Sequence, residues 1–341
     1  VPITDLTIKE NDLIVATQGR AFWVLDDLTI VQQKDSAIVA KNRHVFSVND
    51  AYRSEGGGRR GNRGGGAALP NMGENPPSGV VFNYYLKEGI DTANLKITIY
   101  DKNNKPIKTF SKSAKEMSDK IDYASGLNQF VWDMNYPPGE KTDGMILWNG
   151  GIGSAKAAPG KYQAKFTLGK DSAWVPFVIK PNPNYAISEA DYDAQTAFLL
   201  QVRDKFNEVQ NSIKDIRTVR TQINDLTSRL EGDNGKEIKK MADSIQKQLT
   251  TIEEALYQTK SKSGQDVLNF PIRLNDKLAG LYGVAASGQN APSKQAREAF
   301  AELAGQADVQ MNHLKKVLSA DVSSLNKLIN EKQIPVIGIK K

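Results

Sequence analysis

The sequence has no cysteine, only two histidines and no apolar run long enough to cross a bilayer. The first absence excludes disulfide staples, thiolate metal sites and cysteine nucleophiles together. The second leaves His44 and His313, far apart in sequence, as the whole imidazole supply, which does not support a zinc site without thiolate partners. A Ser-His-acid triad would need one of these two, and no G-x-S-x-G elbow surrounds any serine. The third absence removes a membrane-spanning helix, which needs roughly 18 consecutive apolar residues. The chain opens Val1-Pro2-Ile3-Thr4, with neither an initiator Met nor a basic-then-apolar leader, and the expectation is a fragment or a processed form.

What is present is enough for two or three domains: 341 residues, 39% of them hydrophobic. The formal charge of +6 comes from 45 basic and 39 acidic residues that intermingle along the chain, so it reads as a solvated surface and not as a polyanion footprint.

From Asp12 to Val31, two runs rich in β-forming residues flank the Gln18-Gly19-Arg20 turn, which predicts a hairpin. A two-stranded ribbon alone cannot bury Ile14, Val15, Phe22, Trp23 and Val24, so it needs further strands. Residues 35–78 read as a linker around the run Gly56 to Gly66, closed by Asn75-Pro76-Pro77-Ser78-Gly79. Between Val80 and Ile179 the period is two: Leu95, Ile97 and Ile99, then Tyr162, Ala164, Phe166 and Leu168, alternate with polar residues. Several short strands in about a hundred residues predict an antiparallel sandwich. Beyond Pro183 the period becomes helical. Ser188 and Asp191 form a capping pair before a long helix whose stripe includes Val202, Phe206, Val209, Ile213 and Ile216. Gly232-Asp233-Asn234-Gly235 is expected to end it. A second helix carries Ile238, Met241, Ile245, Leu249, Ile252 and Leu256, and further helices are expected over Pro271 to Ala286 and from Ser293 onward.

The segment from Asn11 to Asp27, with Gly19-Arg20-Ala21-Phe22-Trp23-Val24-Leu25-Asp26-Asp27 at its centre, resembles the closing blade of the sortilin-like, BNR-repeat (Asp-box) β-propellers of Bacteroidota-type bacteria, often labelled glycosyl hydrolases. The Gly126 to Asp133 and Pro159 to Tyr162 segments look like those of Ig-like or fibronectin-like modules. This chain departs from the propeller family in lacking earlier blades and any Ser-x-Asp-x-Gly-x-Thr box. The resemblance implies a multidomain α+β protein with propeller strands at 1–34, a Gly-rich linker at 35–78, an Ig-like sandwich at 79–182 and an antiparallel helical bundle at 183–341. It further implies an exported, envelope-associated or extracellular setting. The implied partners are an upstream propeller region of the same protein and other envelope proteins.

Candidate sites are few. Gly56, Gly58 and Gly61 match G-x-G-x-x-G formally, but no strand precedes and no helix follows, as a pyrophosphate site requires. Arg53, Arg59, Arg60 and Arg63 among glycines, with Tyr52 nearby, are similar to short RNA-binding segments, yet one loop is not a basic face. Asp26, Asp27, Asp133 and Glu140 are the acids nearest aromatic residues, and Trp23, Trp132, Trp148 and Trp174 have the rings to stack on sugars; strand-end Asp capping and core packing are the simpler readings. Arg20 after Gly19 invites an active-site reading too, and a strand arginine pairing with Asp26 or Asp27 explains it as well. No catalytic, cofactor or metal residue is assigned. The function expected is a non-catalytic structural and interaction region of a larger exported protein, the alternative being an accessory region of a sialidase-like glycoside hydrolase.

Overall fold

Alternating polarity makes a stable strand only where something covers the apolar row, and the middle of this chain meets that condition twice over. The computed structural model of the chain describes residues 1–53, 77–88, 95–230 and 232–335. It divides into two compact units, Val1–Pro137 with Lys156–Tyr192, and Pro138–Ala155 with Asp193–Lys341.

In the first unit, strands β1 (Ile3–Lys9), β2 (Asp12–Thr17) and β3 (Phe22–Leu25) precede two short helices, α1 (Thr29–Gln32) and α2 (Ser36–Ala40). Then come β4 (Arg43–Val45), β5 (Ala51–Tyr52), β6 (Val80–Leu86), β7 (Lys96–Tyr100), β8 (Pro106–Ser111), β9 (Gly126–Trp132), β10 (Gly160–Leu168) and β11 (Asp171–Lys180). They form three sheets ordered β1-β2-β3, β4-β6-β9 and β5-β11-β10-β7-β8. The second and third share one core in which Val80, Phe82, Ile97, Ile99, Trp132 and Ala164 are wholly buried. Phe82 and Trp132 each set an edge against Phe177, at centroid distances of 5.3 and 5.9 Å, and Tyr162 stacks on Phe177 at 5.7 Å. The polar atoms carried in with these rings are mostly satisfied: the Tyr162 hydroxyl donates to the Ala158 carbonyl at 2.7 Å and the Trp132 indole N–H to the Asn135 carbonyl at 3.2 Å.

The second unit holds most of α3 (Glu189–Thr227), then α4 (Gly232–Leu256), α5 (Leu274–Ala285), α6 (Lys294–Lys316) and α7 (Ser323–Glu331), the last two joined through a π-helical turn at Val317–Val322. The Ser188 hydroxyl accepts from the Asp191 N–H at 3.1 Å and caps α3 as its spacing predicts. The predicted stripes are buried: Val202, Phe206, Val209, Ile213 and Ile216 on α3, and Ile238, Ile245, Leu249, Ile252 and Leu256 on α4. Gly232 begins α4 instead of ending its predecessor.

Polar side chains of these helices also hold the Pro138–Ala155 segment. Asn207 accepts the Glu140 N–H at 2.7 Å, the Tyr257 hydroxyl accepts the Ile146 N–H at 3.1 Å, and the Asp276 carboxylate accepts the N–H groups of Trp148 and Asn149 at 2.7 and 2.9 Å. Asp276 is only 3% exposed, so these bonds compensate a desolvation that would otherwise cost several kcal/mol. Gly139 is required by close approach, since a Cβ there would lie 2.8 Å from the Ile152 Cβ.

Three expectations about the fold are corrected. Propeller strands are not what the first 34 residues form: β1, β2 and β3 make one isolated three-stranded sheet. The Ig-like sandwich is replaced by a curled, half-barrel β-sheet arrangement. The reason is that its sheets recruit β4 and β5 from the supposed linker, β5 running parallel to β11 while β4 pairs antiparallel with β6. The antiparallel helical bundle is likewise not what these helices form: side chains of α3, α4 and α5 also bind the irregular 138–155 segment, which belongs to the same unit.

Trp132→Ala is expected to destabilise the first unit by about 3–5 kcal/mol, because it empties the middle of an aromatic cluster. Urea unfolding followed through the methyl resonances of Ile97 and Ile99 checks it. A second expectation concerns Glu140, whose carboxylate lies 2.7 Å from the Lys214 ammonium and is held below its ordinary value of 4.5, first by that hydrogen bond. Because the folded value is the lower one, its contribution is complete above pH 4.5 and is lost as pH falls through the depressed folded value. Glu140→Gln should flatten the acid side of the stability curve by a few tenths of a kcal/mol, as suits a half-exposed pair. Unfolding midpoints of both proteins between about pH 3 and pH 6 measure it.

Candidate interaction surface

The β1-β2-β3 sheet is built like the rest but covered differently. Glu10, at φ 60°, makes the tight β1–β2 turn, and Gly19 and Ala21, at φ 81° and 59°, make the β2–β3 turn. The Thr17 hydroxyl donates to the Ala21 carbonyl at 2.7 Å, and the Trp23 indole N–H to the Arg20 carbonyl at 3.0 Å. Register then fixes two faces. Leu6, Val15 and Trp23 lie in one row and Ile8, Leu13 and Leu25 in the next, all on one side. Ile14 and Val24, with Ala16 and Phe22, lie on the other side.

Both faces are therefore apolar across β2 and β3, as in strands that are buried on both sides. Yet Phe22, Trp23, Val24 and Leu25 are 76%, 65%, 55% and 53% exposed, and Leu6 and Ile8 are 56% and 62% exposed. Covering any one of these side chains is worth about 1.5–3 kcal/mol. Among the described residues, β3 pairs only with β2, so its outer edge presents unpaired backbone groups.

The sheet is held firmly at its base. Asp27, at φ 58°, accepts from the amides of Asn11 and Asn49, both at 2.8 Å, and from the Thr29 N–H at 2.9 Å; its own N–H donates to Asp12 at 2.9 Å. Asn11 and Asn49 also donate to the Thr29 hydroxyl at 2.7 and 2.9 Å. The Leu28 N–H closes the junction on the Asn11 carbonyl at 2.8 Å. This network fixes the direction in which the sheet leaves the chain that follows it.

The other candidates take structural places. Asp27 caps and cross-links as described, and the ion pair from Arg20 to Asp26 or Asp27, one of the two readings of that arginine, does not form among the described residues. Asp133 accepts from the backbone and side-chain amides of Asn135 at 3.0 and 2.8 Å. Glu140 serves Lys214 and Asn211. Trp132 is core, whereas Trp148 and Trp174 are 58% and 48% exposed. His44 sits edge-on to Phe46 at 4.8 Å, and burial, with Lys41 beside it, holds its imidazole below the ordinary value. His313 Nε2 lies 3.3 Å from the Gln248 side-chain oxygen. Arg53 is 2% exposed, its guanidinium 4.6 Å from the Tyr192 ring centroid, and so belongs to no basic surface. Gly56, Gly58, Gly61, Arg59, Arg60 and Arg63 lie outside the described residues. Among the described residues no three His, Asp or Glu side chains are grouped to hold a metal, and no helix is long and apolar enough to cross a membrane.

Sequence reasoning missed β1 itself, although Leu6 and Ile8 stand two apart with Thr7 between them, and it missed the Asn11–Asn49 foot, whose residues are 38 positions apart and share no local pattern. No family model, curated protein or solved structure matches the chain. Nothing in those comparisons identifies the sortilin-like family. The fold and surface define an α+β protein of two units with a hydrogen-bonded, anchored β-sheet whose β1 and β3 are exposed among the described residues.

Asp27→Ala removes the acceptor for three donors and should loosen the base of the sheet by about 1–3 kcal/mol. Amide hydrogen exchange over Asp12–Thr17 should accelerate, while that of β10 and β11 stays as in the parent protein.

Proposed function

We propose that this chain is a non-catalytic assembly region whose β1-β2-β3 sheet is completed by a β-structured partner protein, which adds a strand to the β3 edge and covers both apolar faces. The observation that carries this reading is the exposure of β3 on two opposite faces at once, with Phe22 on one and Trp23 on the other.

A second copy of the chain is a poorer occupant. An isologous dimer uses the same patch on both subunits, so it covers one face and leaves the other wet. Edge pairing between two β3 strands would satisfy backbone groups but leave both faces open. A partner that brings a strand together with flanking β-layers meets all three needs. Covering four or five of these side chains gains roughly 10 kcal/mol before association costs, which is the scale of a stable complex.

Photo-crosslinking residues at Phe22 and Trp23, introduced into the full chain in its native cells, test the reading. Both positions should give the same single partner, crosslinked through its β-strands, and the outward-facing β3 amides that β2 does not engage should be protected from exchange in the isolated complex but not in the free chain. Absence of crosslinks, crosslinks only to a second copy, or equal protection in the free chain would each overturn it.

A further inference from the structure

A second surface of the first unit has a different chemistry and is independent of the assembly reading. The outward row of the five-stranded sheet runs Tyr100, Gln163 and Pro176, with Thr98, Lys165 and Trp174 in the next row. The rings of Tyr100 and Trp174 lean together across β10, with centroids 4.9 Å apart and planes at 52°, and the Lys165 ammonium lies 5.2 Å from the Trp174 centroid. Beside this pair opens a cleft of about 660 Å³, bounded by Gln163 and Pro176 of the same row, by Lys161 and Val178, and by Asp101 and Asn104 of the β7–β8 turn. That volume suits a small oligosaccharide unit. The turn is preformed: the Asp101 carboxylate accepts from the N–H groups of Asn103 and Lys105, both at 2.8 Å.

We infer that this cleft and its aromatic pair form a carbohydrate-binding site. A sugar ring has an apolar C–H face, which suits the half-exposed indole of Trp174, and a rim of hydroxyls that both donate and accept. The groups that line the cleft offer both roles: the amides of Gln163 and Asn104 donate and accept, Lys161 donates, and Asp101 accepts, while Lys165 stands over the Trp174 ring next to it. An extended peptide fits less well. β10 is an interior strand whose backbone groups are used on both sides, and Pro176 interrupts the N–H row of β11. Recognition must therefore come from side chains, and the ligand must supply its own apolar face and hydrogen-bonding rim.

A glycan array of neutral, amino and acidic oligosaccharides, followed by calorimetric titration of the strongest binder, tests the site on the full chain. Saturable binding is expected, weakened about tenfold or more in Trp174→Ala and in Gln163→Ala. Gln163 is exposed, so Gln163→Ala should keep its thermal midpoint and its loss of binding will not reflect unfolding; Trp174→Ala also gives up the Tyr100 contact, and its far-ultraviolet circular dichroism should show that it stays folded. Trp23→Ser, which alters the other surface, should bind glycan like the parent, so failure here and failure of the assembly reading are separable. No array signal above blank, or unchanged affinity in Trp174→Ala, would overturn the inference. So would Trp174-dependent retention of proline-rich peptides with no glycan signal.

Discussion

A β-strand of alternating or doubly apolar pattern is stable only when its apolar rows are covered, and that constraint separates the parts of this protein from one another. In the half-barrel sheets it is met from within: Trp132, Phe82 and Phe177 from different strands close on each other, and little apolar surface on their inner side reaches water. In β1-β2-β3 the same residue types adopt the same conformation, yet among the described residues β1 and β3 stay exposed and β2 is only half-buried. The difference lies in what is placed opposite and not in strand propensity, and it gives the sheet its proposed role.

The sheet would be of little use to a partner if it swung freely. Asp27, Asn11, Thr29 and Asn49 prevent this by tying the turn between the first two strands to the segment that follows β3 and to the approach to β5. These bonds are made by short polar side chains with few rotamers, so the entropy lost in holding them is small. A presented apolar surface with a stiff base loses less freedom on binding than a floppy one.

Much of the secondary structure was legible because it is governed by local period. The strands around Ile97, Tyr162 and Val175, the cap at Ser188 and the stripes of α3 and α4 all lie where alternation and helical spacing put them. What was not legible depends on long-range partners. Nothing in Arg43-His44-Val45 or Ala51-Tyr52 announces a strand; they become strands because β6 and β11 have edges to pair with. The 138–155 segment looks like a loose loop until Tyr257 and Asp276, more than a hundred residues on, are in place. The same holds for the surfaces: Trp23 and Trp174 could be noticed as residues, but their exposure and Trp174's pairing with Tyr100 required the folded sheet.

The hydrogen bond from Trp148 to Asp276 spans 128 positions, and this bears on how the protein is made. During synthesis the Trp148 segment leaves the ribosome long before the carboxylate that seats it. At about 5–20 residues per second the delay is roughly 6–26 s. Throughout that interval Trp148 and Asn149 lack the carboxylate that seats them, while the β-strands on either side of the segment are free to find one another. The seating of Trp148 thus waits on a helix that is made 128 residues later.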